Sequence, residues 1–257
     1  MAGDREARPV PGAEAGARPL EGKAALVTGA GKGIGRAVAD RLAADGAQVC
    51  GFDVLFDSEG GGGAAAGLRF VGDVTDSRAI ERCLAVMKQE CGPPDIVVNS
   101  AGVTSHVSFV DLTEAEWSRV VTVNLTGTFL VCRAAIAEMV ARGGGRIINI
   151  ASELGLVGAA RLAHYCASKG GVIALSKALA KEFAPQGIAV NVVAPGAVET
   201  DMLMAYPEEY NPETLATIPL GRWGKPEDVA ATVAFVASSA ASYYTGWIFS
   251  PNGGVVM

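Results

Sequence analysis

An α/β fold is predicted from this sequence: a doubly wound, seven-stranded parallel sheet with helices on both faces. Short runs rich in Val, Ile and Ala alternate with segments of helical periodicity, which is how a parallel sheet covered on both sides reads in sequence. The length of 257 residues suits one layered domain of this class and requires no second one.

Taken in chain order, the strand candidates are residues 24–27, 48–52, 69–71, 96–99, 146–150, 189–193 and 247–249, each a short apolar run. Residues 35–44, 78–88, 113–140, 165–183 and 227–237 read as the intervening helices. The third opens with Thr113 and Glu116 at capping-box spacing, which would tie up two free N–H groups. Its apolar stripe through Trp117, Val120, Val121 and Leu125 is long enough to serve a core and a partner at once. Between Asp53 and Arg69 only a Gly/Ala-rich stretch remains, so a short or mobile connection is expected. Residues 1–20 lack an apolar stretch and read as a disordered tail, which leaves 21–257 as one catalytic domain.

Lys and Arg total 21 against 27 Asp and Glu, a net charge of −6, so no nucleic-acid footprint is expected. Cys50, Cys83, Cys91, Cys132 and Cys166 are scattered without a C-x-x-C pair, which fits a reducing cytoplasm. His106 and His164 have no ligand-spaced partners, so no metal is expected; they read as a loop polar group and a residue at a helix start. No charge occurs from Val229 to Met257, but Gly246 and Pro251 break that stretch. A buried helix, a core strand and a subunit contact account for it better than a membrane span.

The segment from Thr28 through Gly29, Gly31, Lys32, Gly33, Ile34 and Gly35 joins a buried strand to a helix. Bare glycines there let backbone N–H groups approach a pyrophosphate at the positive helix end, which points to a dinucleotide and a Rossmann-type sheet. Asp53 closes the second strand, where a carboxylate accepts from ribose hydroxyls and repels a 2′-phosphate, favouring NAD over NADP. Lys32 is the competing signal, a flexible cation that could meet such a phosphate.

Tyr165 and Lys169 lie four residues apart, on one face of a helix, so the ammonium can sit beneath the phenol and favour its ionised form. A free tyrosine titrates near about 10, and bringing it to neutral pH asks about 3 to 4 kcal/mol of its surroundings. One cation and a second positive group could supply that.

The glycine turn, Asn99-Ser100-Ala101-Gly102, Asn124, Ser152, Tyr165 with Lys169, and Pro195-Gly196 together resemble the short-chain dehydrogenase/reductase family in its single-domain form, from about residue 20 onward. The resemblance implies that Ser152 bonds the substrate oxygen, Tyr165 exchanges its proton, and Lys169 holds the nicotinamide ribose while lowering the tyrosine pKa. It also implies that Asn124 shapes its helix and holds a relay water. Asp73 and Val74 match the family's adenine contact, and Asn99, Ala101 and Gly102 its turn beside the cofactor. Pro195, Gly196, Val198 and Thr200 match the segment at the nicotinamide carboxamide. Ser100 and Asn252 depart from the family's usual Asn and Asp, and neither touches the chemistry. Hydride addition to a carbonyl builds negative charge on oxygen, and Ser152 and Tyr165 supply the converging donors that this requires.

Residues 201–222 leave the nicotinamide corner before the next helix and read as a substrate lid, apolar within and acidic outside. With Leu154, Val157 and His164, that lid suits a neutral secondary alcohol or ketone as the small-molecule partner. The alternative is a 3-oxoacyl-thioester reductase, on acyl carrier protein or CoA, using NADPH. Neither a pI of 5.1 nor the turn at Gln186 advertises a basic docking patch for an acidic carrier. A regulator that binds cofactor without catalysis should lack the tyrosine or lysine, and both are present. Family resemblance implies a homotetramer.

Overall fold

The structure is a computed structural model and describes residues 18–56 and 67–257. One sheet of seven parallel strands runs in the order β3-β2-β1-β4-β5-β6-β7. The strands are β1 (Ala24–Thr28), β2 (Gln48–Asp53), β3 (Leu68–Val71), β4 (Ile96–Asn99), β5 (Gly145–Ile150), β6 (Ile188–Val193) and β7 (Ile248–Phe249). Among the described residues the helices are α1 (Gly33–Ala44), α2 (Ser77–Glu90), α3 (Glu114–Val121), α4 (Gly127–Arg142), α5 (Leu154–Val157), α6 (Ala163–Phe183), α7 (Asp201–Met204), α8 (Pro212–Ala216) and α9 (Pro226–Ala237).

Strand periodicity divides the core into two layers. Ala25 and Val27 of β1 pack with Val38 and Leu42 of α1 and with Val229 and Val233 of α9. Their neighbours Ala24 and Leu26 point the other way, into Ile80 and Met87 of α2 and Val131 and Met139 of α4. Strands buried on both faces can be apolar at every position, which is why no polar alternation marks them in sequence. Each fully buried Val or Leu contributes roughly 1.5–3 kcal/mol of transfer free energy.

Three sequence expectations are corrected. Leu20, assigned to the tail, is buried in the first of these layers and its N–H donates to the Asp45 carbonyl at 2.9 Å. The rest of that tail, to residue 17, lies outside the described residues, as does most of the Gly/Ala-rich connection after β2. The long third helix is not uniform, because a π-helical turn over Thr122–Thr126 joins α3 to α4. Thr113 does cap α3 by accepting from the Glu116 N–H, but the box is half made. The Glu116 carboxylate turns instead to Arg119 and Ser105.

The charge-free C-terminal stretch forms α9, a short turn and β7. Residues 114–142, rather than that stretch, form a helix long and apolar enough to cross a membrane by length and composition. Its inner face belongs to the core, through Val120, Val131, Cys132, Ala135 and Met139.

Candidate active site

The chain turns from β1 toward β2 and β3 on one side and toward β4 on the other, so a crevice opens beyond the carboxyl ends of β1 and β4. Ligands of open parallel sheets bind at such a switch point. A cavity of about 520 Å³ lies there, lined at one end by the Gly29 turn, Asp53 and Asp73 and at the other by Ser152, Tyr165 and the lid.

The nucleotide end is built by close approach. Gly29 has φ +68°, and a Cβ there would lie 2.7 Å from the Ala101 nitrogen. A Cβ at Gly35 would lie 2.0 Å from the Gly29 carbonyl oxygen, so α1 can start this near β1 only without one. No side chain caps the N-terminus of α1, and its first turn holds no acid. Those free N–H groups open on the cavity through Gly33, Ile34 and Gly35, an arrangement that fits a pyrophosphate. The Asp53 carboxylate accepts from Gly31 N–H at 2.8 Å and from Leu55 N–H at 3.2 Å, which holds it at the cavity wall. Lys32 pairs across the mouth with Asp201 at 3.1 Å. Asp73 accepts from the Thr75 N–H and hydroxyl and, with Val74, lines the same end. Ala101, Gly102, Pro195, Gly196, Val198 and Thr200 line the path toward the reaction end. These residues fit a dinucleotide.

At the reaction end, β5 delivers Ser152 just past its last residue, and α6 carries Tyr165 and Lys169. All three line the cavity. The Lys169 ammonium donates to the Ile150 carbonyl at 2.8 Å and lies 5.7 Å from the Tyr165 ring centroid. Burial pushes the Tyr165 phenol up to about 12, against a hydrogen bond from Ser152 that lowers it. Burial also pushes Lys169 down to about 8. The expected lowering of the tyrosine by its lysine is therefore not what this chain achieves by itself. Both groups are desolvated, and loss of water disfavours the charged form of each.

Asn124 sits in the π-helical turn and is fully buried, outside the cavity lining. Its amide donates to the Val103 carbonyl at 2.9 Å and to the Ser168 hydroxyl at 3.0 Å, while its oxygen accepts from Val103 N–H at 2.8 Å. Both amide hydrogens are used, and the side chain ties the π-helical turn to Val103 and to Ser168 of α6. Asn99 is also corrected. It is buried outside the cavity, where its amide donates to Asn149 on β5 at 2.8 Å and to the Cys132 thiol on α4. Period-two alternation turns it to the face of the sheet that α4 covers, and Ser100 lines the cavity instead.

Two further substrate-side expectations change. His164 is buried and bonded to Ser105 at 2.8 Å, and Val157 is exposed. His106, Leu162 and Tyr206 take their places in the lining. His106 follows the end of β4, and that position was its only signal in the sequence. Glu153, unremarked in the sequence, is 6 % exposed, and its Oε2 has no hydrogen-bond partner among the described residues. Desolvation pushes its carboxyl up to about 7.

Residues 29–256 match a family model described as enoyl-(acyl carrier protein) reductase. The chain is 42% identical over 246 residues to the 3-oxoacyl-[acyl-carrier-protein] reductase FabG of Vibrio harveyi, covering 93% of this chain and 99% of that one. It is 43% identical over 244 residues to the FabG of Escherichia coli K12, with the same coverage. A crystal structure of gox2181 superposes with a TM-score of 0.84 at 34% identity, covering 93% of this chain and 97% of that one. The chain belongs to the short-chain dehydrogenase/reductase family and is an oxidoreductase of that family, using a nicotinamide dinucleotide.

Proposed function

We propose that this protein reduces 3-oxoacyl thioesters to 3-hydroxyacyl thioesters. Its relatives carry that activity in their names at above 40% identity over nearly their whole length, and this observation carries the reading. The sequence by itself favoured an NAD(H)-dependent generic secondary-alcohol dehydrogenase, with an NADPH-dependent thioester reductase as its alternative, and the relatives favour the alternative's reaction. A 3-oxoacyl thioester is itself a ketone that is neutral around the reacting carbon, so the apolar wall of Leu154, Leu162, Met202 and Leu203 suits it.

In this reading Ser152 and Tyr165 converge on the ketone oxygen, where negative charge develops, and the phenol gives up its proton there. When bound, the nicotinamide supplies the hydride. Lys169, held by the Ile150 carbonyl, keeps its amine at the ring side of Tyr165 and opposes the charge left on the phenolate. Asn124 keeps the Gly102–Val103 turn beneath that lysine; a Cβ at Gly102 would lie 3.5 Å from Lys169 Nζ. We assign NAD(H) rather than NADP(H) because the Asp53 carboxylate faces the cavity at the end of β2, while Lys32 is engaged by Asp201. We place the enzyme in the cytoplasm as a homotetramer built on the α4 and α6 faces and the C-terminal end, where Phe129, Tyr243 and Trp247 are exposed.

Initial rates with 3-oxoacyl-CoA, 3-oxoacyl carrier protein, polyols, cyclic alcohols and hydroxysteroids, each with NAD(H) and NADP(H), test the reading. A thioester should lead by kcat/KM. A polyol or steroid in the lead would overturn it. Sedimentation at micromolar concentration tests the assembly, and a stable monomer would contradict it.

A further inference from the structure

The substrate end of the cavity carries a charge that the reaction does not use. Glu209, on the lid between α7 and α8, lines the cavity with its side chain 43% exposed. The nearest cationic candidate is His106, whose Nδ1 lies 3.6 Å from Glu209 Oε1, too far for a hydrogen bond. His106 is clamped in place. Its ring stacks on Tyr206 with centroids 3.9 Å apart and planes 22° from parallel, and Arg161 donates to its backbone carbonyl.

The other charges around this corner are already matched. Arg161 approaches Glu208 at 3.8 Å, Arg119 makes two bonds to Glu116, and Lys32 pairs with Asp201. Burial holds His106 below its ordinary pKa, against the raising effect of Glu209 and Glu208 and with the lowering effect of Arg161, so its imidazole is neutral at neutral pH. Among the described residues Glu209 is left uncompensated. Among the residues lining the cavity the cations are Lys32 and Lys169, against Asp53, Asp73, Asp201 and Glu209.

We propose that Glu209 is a specificity-determining residue that makes the substrate end reject anionic ketones, so that the site takes a 3-oxo compound only when its carboxyl group is masked as an ester or thioester. The proposal rests on the 3-oxoacyl reading and deepens it. A free 3-oxo acid carries its carboxylate two carbons from the reacting ketone, so that charge must enter the same cavity as Glu209. Two like charges within one cavity repel by an amount equivalent to about tenfold in kcat/KM once partial exposure is allowed for. An ester or thioester group places no charge two carbons from the ketone.

The test compares ethyl acetoacetate with acetoacetate, and ethyl levulinate with levulinate, in wild type and Glu209→Gln. Wild type should favour the ester in each pair by at least about tenfold. Glu209→Gln should shrink that ester-to-acid ratio by about five- to tenfold. High salt should shrink it in wild type and much less in the variant. An ester-to-acid ratio that Glu209→Gln leaves unchanged, or a wild type that uses the free acids as well as their esters, overturns the proposal. Levulinate is not a 3-oxo acid, so its pair keeps the charge test separate from the substrate reading. If thioesters prove poor substrates while the ratios behave as stated, the function fails and the charge filter stands.

Discussion

Lys169 lies over the face of Tyr165, 5.7 Å from the ring centroid, with its ammonium tied to the Ile150 carbonyl at 2.8 Å. That placement keeps a cation near the phenol without a direct bond to its oxygen. With the phenol held at about 12 and the lysine at about 8, the protein alone does not poise this pair for neutral pH. In the reducing direction a phenol that stays protonated is the form the proton donor needs, and in the reverse direction the positive ring of an oxidised nicotinamide would help to ionise it.

Removing the phenol hydroxyl isolates the proton step. Tyr165→Phe should lower kcat by about 10²- to 10⁴-fold, the usual worth of general acid catalysis. Cofactor affinity, read by fluorescence titration, should stay within about twofold. An active Phe variant would remove the proposed donor.

Asp53→Ala deletes the carboxylate that lines the cavity at the end of β2, and with it the two bonds to Gly31 and Leu55 N–H. The preference for NAD(H) over NADP(H), measured as a ratio of kcat/KM values, should fall by about tenfold or more, one charge-assisted contact being worth roughly 1.5–3 kcal/mol. A wild-type preference for NADP(H) would show that Asp53 does not govern the choice.

Glu153 is a buried carboxyl without a partner for its Oε2. Its pKa in the folded protein, about 7, is above the ordinary 4.5, so the folded state holds a proton that the unfolded state has lost. The stability this contributes is complete below about pH 4.5 and is lost as pH rises through about 7. A shift of this size corresponds to about 3 kcal/mol. Glu153→Gln keeps the neutral shape, so the midpoint of urea unfolding should change less between pH 5 and pH 8 in the variant than in wild type. Parallel pH profiles would show that Glu153 does not titrate in this window.

Asn124→Ala removes three hydrogen bonds at a fully buried site and leaves both backbone groups of Val103 unsatisfied. The cost should be about 2–4 kcal/mol in urea unfolding. Asn124→Asp should not rescue it, because the donors to Val103 and Ser168 are lost. A loss below about 1 kcal/mol would mean that the π-helical turn does not depend on this amide.

Much of the cofactor end was legible in sequence because its chemistry is local. The glycines between Thr28 and Gly35 must lie between a strand and a helix, and Asp53 must close a strand for the turn to bond its carboxylate. The helical pair Tyr165 and Lys169 was likewise readable from spacing alone. Asn99 was misplaced for a different reason. Its motif position is one residue from Ser100, and strand alternation sends the two side chains to opposite sides.

By itself the sequence determined the alternation of strands and helices, the glycine turn between a strand and a helix, and the one-face pairing of Tyr165 with Lys169, since each follows from local period, backbone freedom or spacing. Only the tertiary structure decided which histidine lines the cavity, that Asn124 spends its amide on Val103 and Ser168, and that Glu153 and Glu209 stand without matching cations among the described residues. Those outcomes depend on which groups from distant segments share one dry volume, and desolvation and pairing there have no signature in the order of residues along the chain.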